Sequence, residues 1–152
     1  MTQPPENAGS GIVSILSVSP RAEDHVSLAH ILDQSNWRET QNLKFNVNTS
    51  LTLPSALAVL RENRIQIVVC ERDLPPDTWR ELLDQSAGLP APPLVIVASR
   101  LADERLWAEA LNLGAYDVLV KPFHAPEVCR VMEAAWHRWQ VQHRNGHKGP
   151  RS

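Results

Sequence analysis

Short runs of apolar residues constrain the fold of this chain more than any other feature of its sequence. Residues 12–18 (IVSILSV), 65–70 (IQIVVC) and 94–98 (LVIVA) consist mainly of Val, Ile and Leu. Runs of this length, bounded by turn residues, are typical of strands that are covered on both faces. Weaker strand patterns at residues 43–47 and 118–120 complete a set of five predicted strands.

Helical patterns lie between these strands. Apolar residues recur at helical spacing after each predicted strand, and the fourth helix is predicted to end at Gly114, a typical helix-stop residue. This alternation predicts an α/β fold, a five-stranded doubly wound parallel sheet of the flavodoxin-like class with helices on both faces. In such folds the functional residues gather at the carboxyl ends of the strands, which here are near Ser19, Glu71, Ala98 and Lys121.

The composition excludes several classes of protein. Of the 152 residues, 43% are hydrophobic and 21% are charged, which is typical of a globular chain and not of a disordered one. Two cysteines, Cys70 and Cys129, are too few for a disulfide scaffold and are predicted to be buried free thiols. The sequence has no apolar run long enough to span a membrane and no signal-peptide pattern, so we expect a cytoplasmic protein without a membrane partner.

The expected organisation is one domain, residues 11–141, between a flexible leader (residues 1–10) and a basic flexible tail (residues 142–152). From His137 onward the chain has four Lys or Arg residues and no carboxylate. Such a tail could contact nucleic acid, but a solvated tail is the commoner case, and the overall net charge of -2 does not favour a nucleic-acid partner.

Two segments carry a resemblance to a known family. The sequence VVCERDLP occupies residues 68–75, and GAYDVLVKPF occupies residues 114–123. Together with the alternating strands and helices, they resemble the receiver domain, the CheY-like module of bacterial two-component response regulators, from about residue 12 to 140. The resemblance implies a phosphoryl-accepting aspartate after the third strand and an acidic pair after the first strand that holds Mg²⁺. It also implies a hydroxyl and a lysine that contact the phosphoryl group, and an aromatic switch residue on the fifth strand.

This chain differs from the family at most of those positions. Glu71 stands at the phosphoacceptor position, and Ser19 and Pro20 stand at the acidic pair. Ala98 stands at the hydroxyl position and Val118 at the aromatic switch position. At these positions the chain therefore has neither the hydroxyl nor the aromatic side chain through which the family transmits phosphorylation. This favours a constitutive shape that is not switched.

Lys121 is the position that matches the family. With Pro122 after it, the resemblance implies a cis peptide bond between these two residues. Glu71 then has two interpretations. It is either a partial mimic of a phosphorylated aspartate or one member of a salt bridge with Lys121 in a decayed site.

Neighbouring polar residues offer few substitutes. Asp73 is an alternative phosphoacceptor, but it lies in the loop beyond the third strand. Ser99 could replace the missing hydroxyl, although adjacent strand residues point in opposite directions, so it should face away from the pocket. Glu23 and Asp24 are interpreted as acids of the first helical turn, where they favour the helix dipole.

No metal and no other cofactor is expected. Ser19 and Pro20 make a poor magnesium site with the carboxylate of Glu71. The six histidines have no metal-site spacing, and His25 and His30 are interpreted as surface or helix-end residues.

These observations predict a stand-alone atypical receiver domain in two-component signalling, which acts as a protein-interaction module and not as an enzyme. A sensor kinase, an effector or a second copy would bind the face of the fourth helix, fifth strand and fifth helix, where Trp107 and Trp139 are placed. One alternative is a receiver that is phosphorylated on another carboxylate such as Asp73. Another is a flavodoxin-like small-ligand-binding protein, although the chain has no glycine-rich phosphate loop.

Overall fold

A computed structural model describes residues 10–34 and 42–148 of the chain. Its elements, in chain order, are β1 (Ser10–Val18), α1 (Ala22–Gln34), β2 (Asn42–Ser50), α2 (Leu53–Glu62), β3 (Ile67–Glu71), β4 (Asp73–Leu74), β5 (Asp77–Thr78), α3 (Trp79–Ser86), β6 (Leu94–Ser99), α4 (Glu104–Leu113), β7 (Asp117–Val120) and α5 (Ala125–Lys148).

The described strands confirm the predicted sheet. Five of them pair in parallel in the order β2-β1-β3-β6-β7, which is the doubly wound arrangement. The sequence patterns did not predict the small antiparallel hairpin of β4 and β5, in which Asp73 pairs with Thr78. Strands of two residues are too short to produce a recognisable alternation, and the turn between them contains a cis Pro75–Pro76 bond.

Two apolar cores cover the two faces of the sheet. On one face, α2, α3 and α4 pack on strand residues that include Val97 and Val118. On the other face, α1 and α5 pack on residues that include Ile96 and Leu119. Successive strand residues therefore serve opposite cores, and this explains why the central strands have no polar face. The predicted switch position, Val118, is fully buried in the first of these cores.

Local sequence predicted the end of α4 correctly but not the end of α5. Gly114 ends α4 in the left-handed conformation with φ near 109°, which confirms the predicted stop. The predicted domain boundary at residue 141 lies inside α5, because this helix continues to Lys148, so most of the predicted flexible tail is helical. At the other end Ser10 already belongs to β1, and the rest of the leader (residues 1–9) lies outside the described residues, as do residues 149–152.

The structure also corrects the expected positions of several side chains. Trp139 was placed on the interaction face, but only 3% of it is exposed, and its ring stacks on His143 with the centroids 3.5 Å apart. Trp107 on α4 is 37% exposed. Cys70 is buried as predicted, whereas Cys129 is half-buried.

Within residues 10–34 and 42–148, no helix is both long and apolar enough to cross a membrane.

Candidate functional site

The parallel register brings the predicted site residues to one edge of the sheet. Glu71 at the end of β3 is aligned with Ala98 on β6, and Ser99 is aligned with Val120 on β7. The next residue, Lys121, donates its backbone N–H to the Ser99 carbonyl at 3.0 Å. This pairing holds the lysine backbone in line with the strand ends, so its side chain can reach the end of β3.

The Lys121 ammonium contacts two carboxylates. Its Nζ donates to Asp24 Oδ2 at 2.6 Å and also forms an ion pair with Glu71 Oε1. The three side chains are nearly buried, with exposed fractions of 5% for Lys121, 13% for Asp24 and 12% for Glu71. Charges this far from water are screened little, so each depends on its partners.

Asp24 reaches this site from the first turn of α1. The Ser19 hydroxyl donates to Asp24 Oδ2 at 2.6 Å and accepts the backbone N–H of Arg21 at 3.1 Å. Burial by itself would raise the pKa of Asp24, but hydrogen bonds from Lys121 and Ser19 and the charges of Lys121 and Arg21 outweigh it and lower the pKa. The ionised form of Asp24 is therefore the one that the fold stabilises.

This lowered pKa predicts an acid-dependent loss of stability. A carboxyl whose pKa is lower in the folded protein contributes its full stabilisation above the unfolded value, here near 3.8, and loses it as the pH falls through the folded value. We expect the difference in unfolding free energy between wild type and Asp24→Asn to be constant near neutral pH and to shrink below pH 3.8. Urea denaturation at a series of pH values measures this difference. A difference that does not change on acidification would contradict the assignment.

His25 lies beneath the same edge and corrects a prediction. It was interpreted as a surface or helix-end residue, but it is buried, whereas His30 is exposed as expected. Its Nε2 lies 3.0 Å from the Ser19 carbonyl oxygen, and its Nδ1 lies 2.8 Å from Ser17 Oγ. Because a carbonyl can only accept, a neutral ring carries its proton on Nε2 and accepts the Ser17 hydroxyl proton on Nδ1. The histidine thus holds the segment that positions Ser19.

Glu71 is also held through its second oxygen. The backbone N–H of Asp73 donates to Glu71 Oε2 at 3.3 Å. The carboxylate of Asp73 itself is exposed and pairs with the side chain of Arg72. The structure therefore places the backbone of Asp73 next to the site and its carboxylate in solvent.

The other predicted pocket residues divide into two groups. Ala98 is buried and lines a small cavity at this edge of the sheet, together with Ser19, Glu71 and Lys121. Ser99 is buried outside the cavity lining, where its hydroxyl accepts the Leu101 backbone N–H at 3.0 Å, as its place on the strand predicted. Pro20 is exposed and does not line the cavity.

The cavity itself is very small. Its volume is about 10 Å³, and its lining includes Asp24 and Phe123 as well as the residues named above. A space of that size holds about one water molecule. Pro122 lies outside it, in the wall of a neighbouring open groove, and the Lys121–Pro122 bond is cis, as the resemblance implied.

Comparison with known proteins gives one family. The model of the response regulator receiver domain matches residues 22–133. The chain belongs to the receiver domain family of response regulators. A comparison with curated protein sequences finds no significant match.

Solved receiver domains share the fold at low sequence identity. The signal receiver domain of a putative Luxo repressor protein from Vibrio parahaemolyticus superposes with a TM-score of 0.74 at 17% identity, covering 87% of this chain and 95% of that one. A CheY-like receiver domain from Methanospirillum hungatei JF-1 gives 0.73 at 18% identity, with 87% and 99% covered. The beryllofluoride-activated NtrC4 receiver domain gives 0.71 at 21% identity, with 83% and 98% covered.

The family implies Mg²⁺ at this edge of the sheet, but the residues present do not fit it. The residues that the resemblance places at the acidic pair are Ser19 and Pro20, which offer no carboxylate, and the Asp24 carboxylate already accepts from Lys121 and Ser19. The cavity that Glu71 lines is too small for a hydrated cation, and the neighbouring groove of about 300 Å³, which Asp24 and Lys121 also line, does not include Glu71. In the described part of the chain, no group of three His, Cys, Asp or Glu side chains is placed to hold a metal ion.

Sequence reasoning missed two members of this receiver site. Asp24 was assigned to the first turn of α1, which is correct, but its side chain also turns toward Lys121, 97 positions away in sequence. His25 was missed because a histidine in the first turns of a helix can face either solvent or the sheet, and its residue type does not show which. The signal available for Asp24 was an acid in the first helical turn, five residues after a serine that follows a buried strand.

Proposed function

We propose that this receiver domain acts as a protein-interaction module and does not accept a phosphoryl group by the usual aspartate route. The observation that carries the proposal is the ion pair between Lys121 and Glu71, the residue that the family resemblance places at the phosphoacceptor position. A phosphoryl group spreads negative charge over its oxygens and needs cations to neutralise it. Here the available ammonium is already shared by two carboxylates, and the adjoining cavity holds about one water.

The alternative acceptor, Asp73, has a poorer environment for this chemistry. Its carboxylate is 59% exposed and forms its ion pair with the adjacent Arg72, not with Lys121. Catalysis of phosphoryl transfer depends on positioned charges around the reacting oxygens. An exposed carboxylate at a hairpin start has no such arrangement.

The test is exposure to a small phosphoryl donor. Wild type, Glu71→Asp and Asp73→Asn are incubated with acetyl phosphate and Mg²⁺, and intact masses are taken promptly, beside a receiver domain with the usual aspartate as a positive control. We expect no phosphoryl mass on wild type, and none on Glu71→Asp, because the acidic pair is still missing. A phosphoryl mass on wild type would contradict the proposal, and its loss in Asp73→Asn would identify the alternative acceptor.

The proposed interaction surface is the outer face of α4 and β7. Trp107 and Leu111 are one helical turn apart on α4, and both are exposed, as is Val120 at the end of β7. Exposed apolar side chains grouped in this way mark contact surfaces, and tryptophan is enriched where binding energy concentrates. The occupant that we propose is a second copy, which is supported by the dimer formed by the NtrC4 receiver domain. A sensor kinase or effector is the other candidate partner.

A further inference from the structure

We propose that Lys121 is the resident cation of this site and occupies the role that a divalent metal would otherwise have. Its ammonium lies between the carboxylates of Asp24 and Glu71, which come from α1 and β3. The inference deepens the proposed function, on which it rests for the absence of phosphoryl chemistry. It adds that the chain supplies its own cation and its own second carboxylate.

The carboxylate arrangement supports this assignment. Asp24 Oδ2 and Glu71 Oε1 both approach one nitrogen, as two carboxylate oxygens would approach one metal ion. Ser19 Oγ also contacts Asp24 Oδ2, and the three oxygen-bearing residues line the same cavity as Lys121. The set of oxygen donors is of the kind that hard cations prefer, but a nitrogen cation is already within it.

Charge also opposes a second cation. The Lys121 ammonium already neutralises one of the two carboxylate charges, and the charge of Arg21 also acts on Asp24. A divalent ion placed there would lie a few ångströms from the Lys121 ammonium, and like charges in a site that is screened little repel strongly. A metal could enter only if the Lys121 ammonium moved away, and the ammonium is held there by its ion pairs with Asp24 and Glu71.

Direct metal binding tests the inference on the intact chain. Mn²⁺ alone is the probe, because its free form gives an electron paramagnetic resonance signal that disappears on binding. We expect wild type and Glu71→Gln to retain the same amount of Mn²⁺, since the carboxylate of Glu71 is not available to metal. Saturable binding by wild type that Glu71→Gln abolishes would overturn the inference.

Removal of the lysine gives the complementary result. Lys121→Met leaves two facing carboxylates without a cation, and we expect this variant to bind about one Mn²⁺ per chain, with a loss of roughly tenfold or more in affinity when Asp24→Asn is added. A folded Lys121→Met that retains no more Mn²⁺ than wild type would also overturn the inference. If Lys121→Met does not fold, the comparison of wild type with Glu71→Gln decides the question.

The two proposals fail differently. Mn²⁺ binding at Glu71 in wild type overturns the resident-cation inference even when acetyl phosphate leaves the mass unchanged. Phosphorylation without Mn²⁺ binding at Glu71 overturns the proposed function and leaves the role of Lys121 as the cation intact.

Discussion

Replacement of Lys121 by methionine is expected to lower the free energy of unfolding by about 3–5 kcal/mol in metal-free buffer. Methionine keeps most of the aliphatic length but removes the ammonium that Asp24 and Glu71 share. Both carboxylates are nearly buried, so each would lose its compensating charge and face a like charge across the cavity. Loss of one partner from a buried ionic group is costly because the remaining charge cannot return to water.

Urea denaturation of wild type and Lys121→Met measures this effect, and Arg80→Met is the matched control. Arg80 forms an ion pair with Glu109, but these side chains are 49% and 33% exposed, so the control should cost about 0–1 kcal/mol. The triple variant Lys121→Met, Asp24→Asn, Glu71→Gln should recover much of the loss, because it removes the buried charges together. If Lys121→Met and Arg80→Met lose equal amounts of unfolding free energy, the buried ion pairs of Lys121 contribute no more to stability than an exposed ion pair.

Replacement of Trp139 by alanine is expected to cost about 3–5 kcal/mol, as for other large aromatic side chains removed from an interior. Trp139 lies on α5 and is 3% exposed, with its ring stacked on His143. Truncation leaves a cavity that a helix packed on the sheet cannot fill without shifting. The stability loss should appear as a lower urea midpoint without a change in oligomeric state.

Trp107→Ala is the matched variant on the neighbouring helix. Its ring is 37% exposed on α4, so we expect a stability loss of about 1 kcal/mol or less, in the range of most surface substitutions. It should instead weaken self-association, which sedimentation velocity over a concentration series measures. If wild type is monomeric at every concentration, or if Trp107→Ala associates as wild type does, self-association through α4 is wrong.

The fold could be predicted because its causes are local and repeated. Runs such as residues 12–18 and 94–98 are typical of strands that are covered on both faces, and the intervening helical patterns favour parallel pairing. The β4–β5 hairpin was not predicted, because its two-residue strands are too short to show a periodic pattern. The continuation of α5 to Lys148 was missed because polar, basic sequence is equally compatible with a tail and with a helix end.

The candidate site was predicted only in part. Glu71, Ala98 and Lys121 could be placed together because each follows or ends a strand of a parallel sheet, and such ends meet at one edge. Asp24 and His25 could not, because their roles depend on how α1 docks on the sheet. Trp139 was assigned to a surface for the same reason, since a tryptophan on a helix can face either the interior or solvent.

By itself, then, the sequence determined the order of strands and helices, the parallel sheet, and the edge at which polar residues collect. Those properties follow from periodicity and from turn residues, which act over a few positions. The tertiary structure alone decided that Lys121 is shared by two buried carboxylates and that one of them comes from α1. An ion pair between residues 97 positions apart leaves no local pattern, because its geometry is set by helix packing and burial, and these emerge only when the whole sheet is assembled.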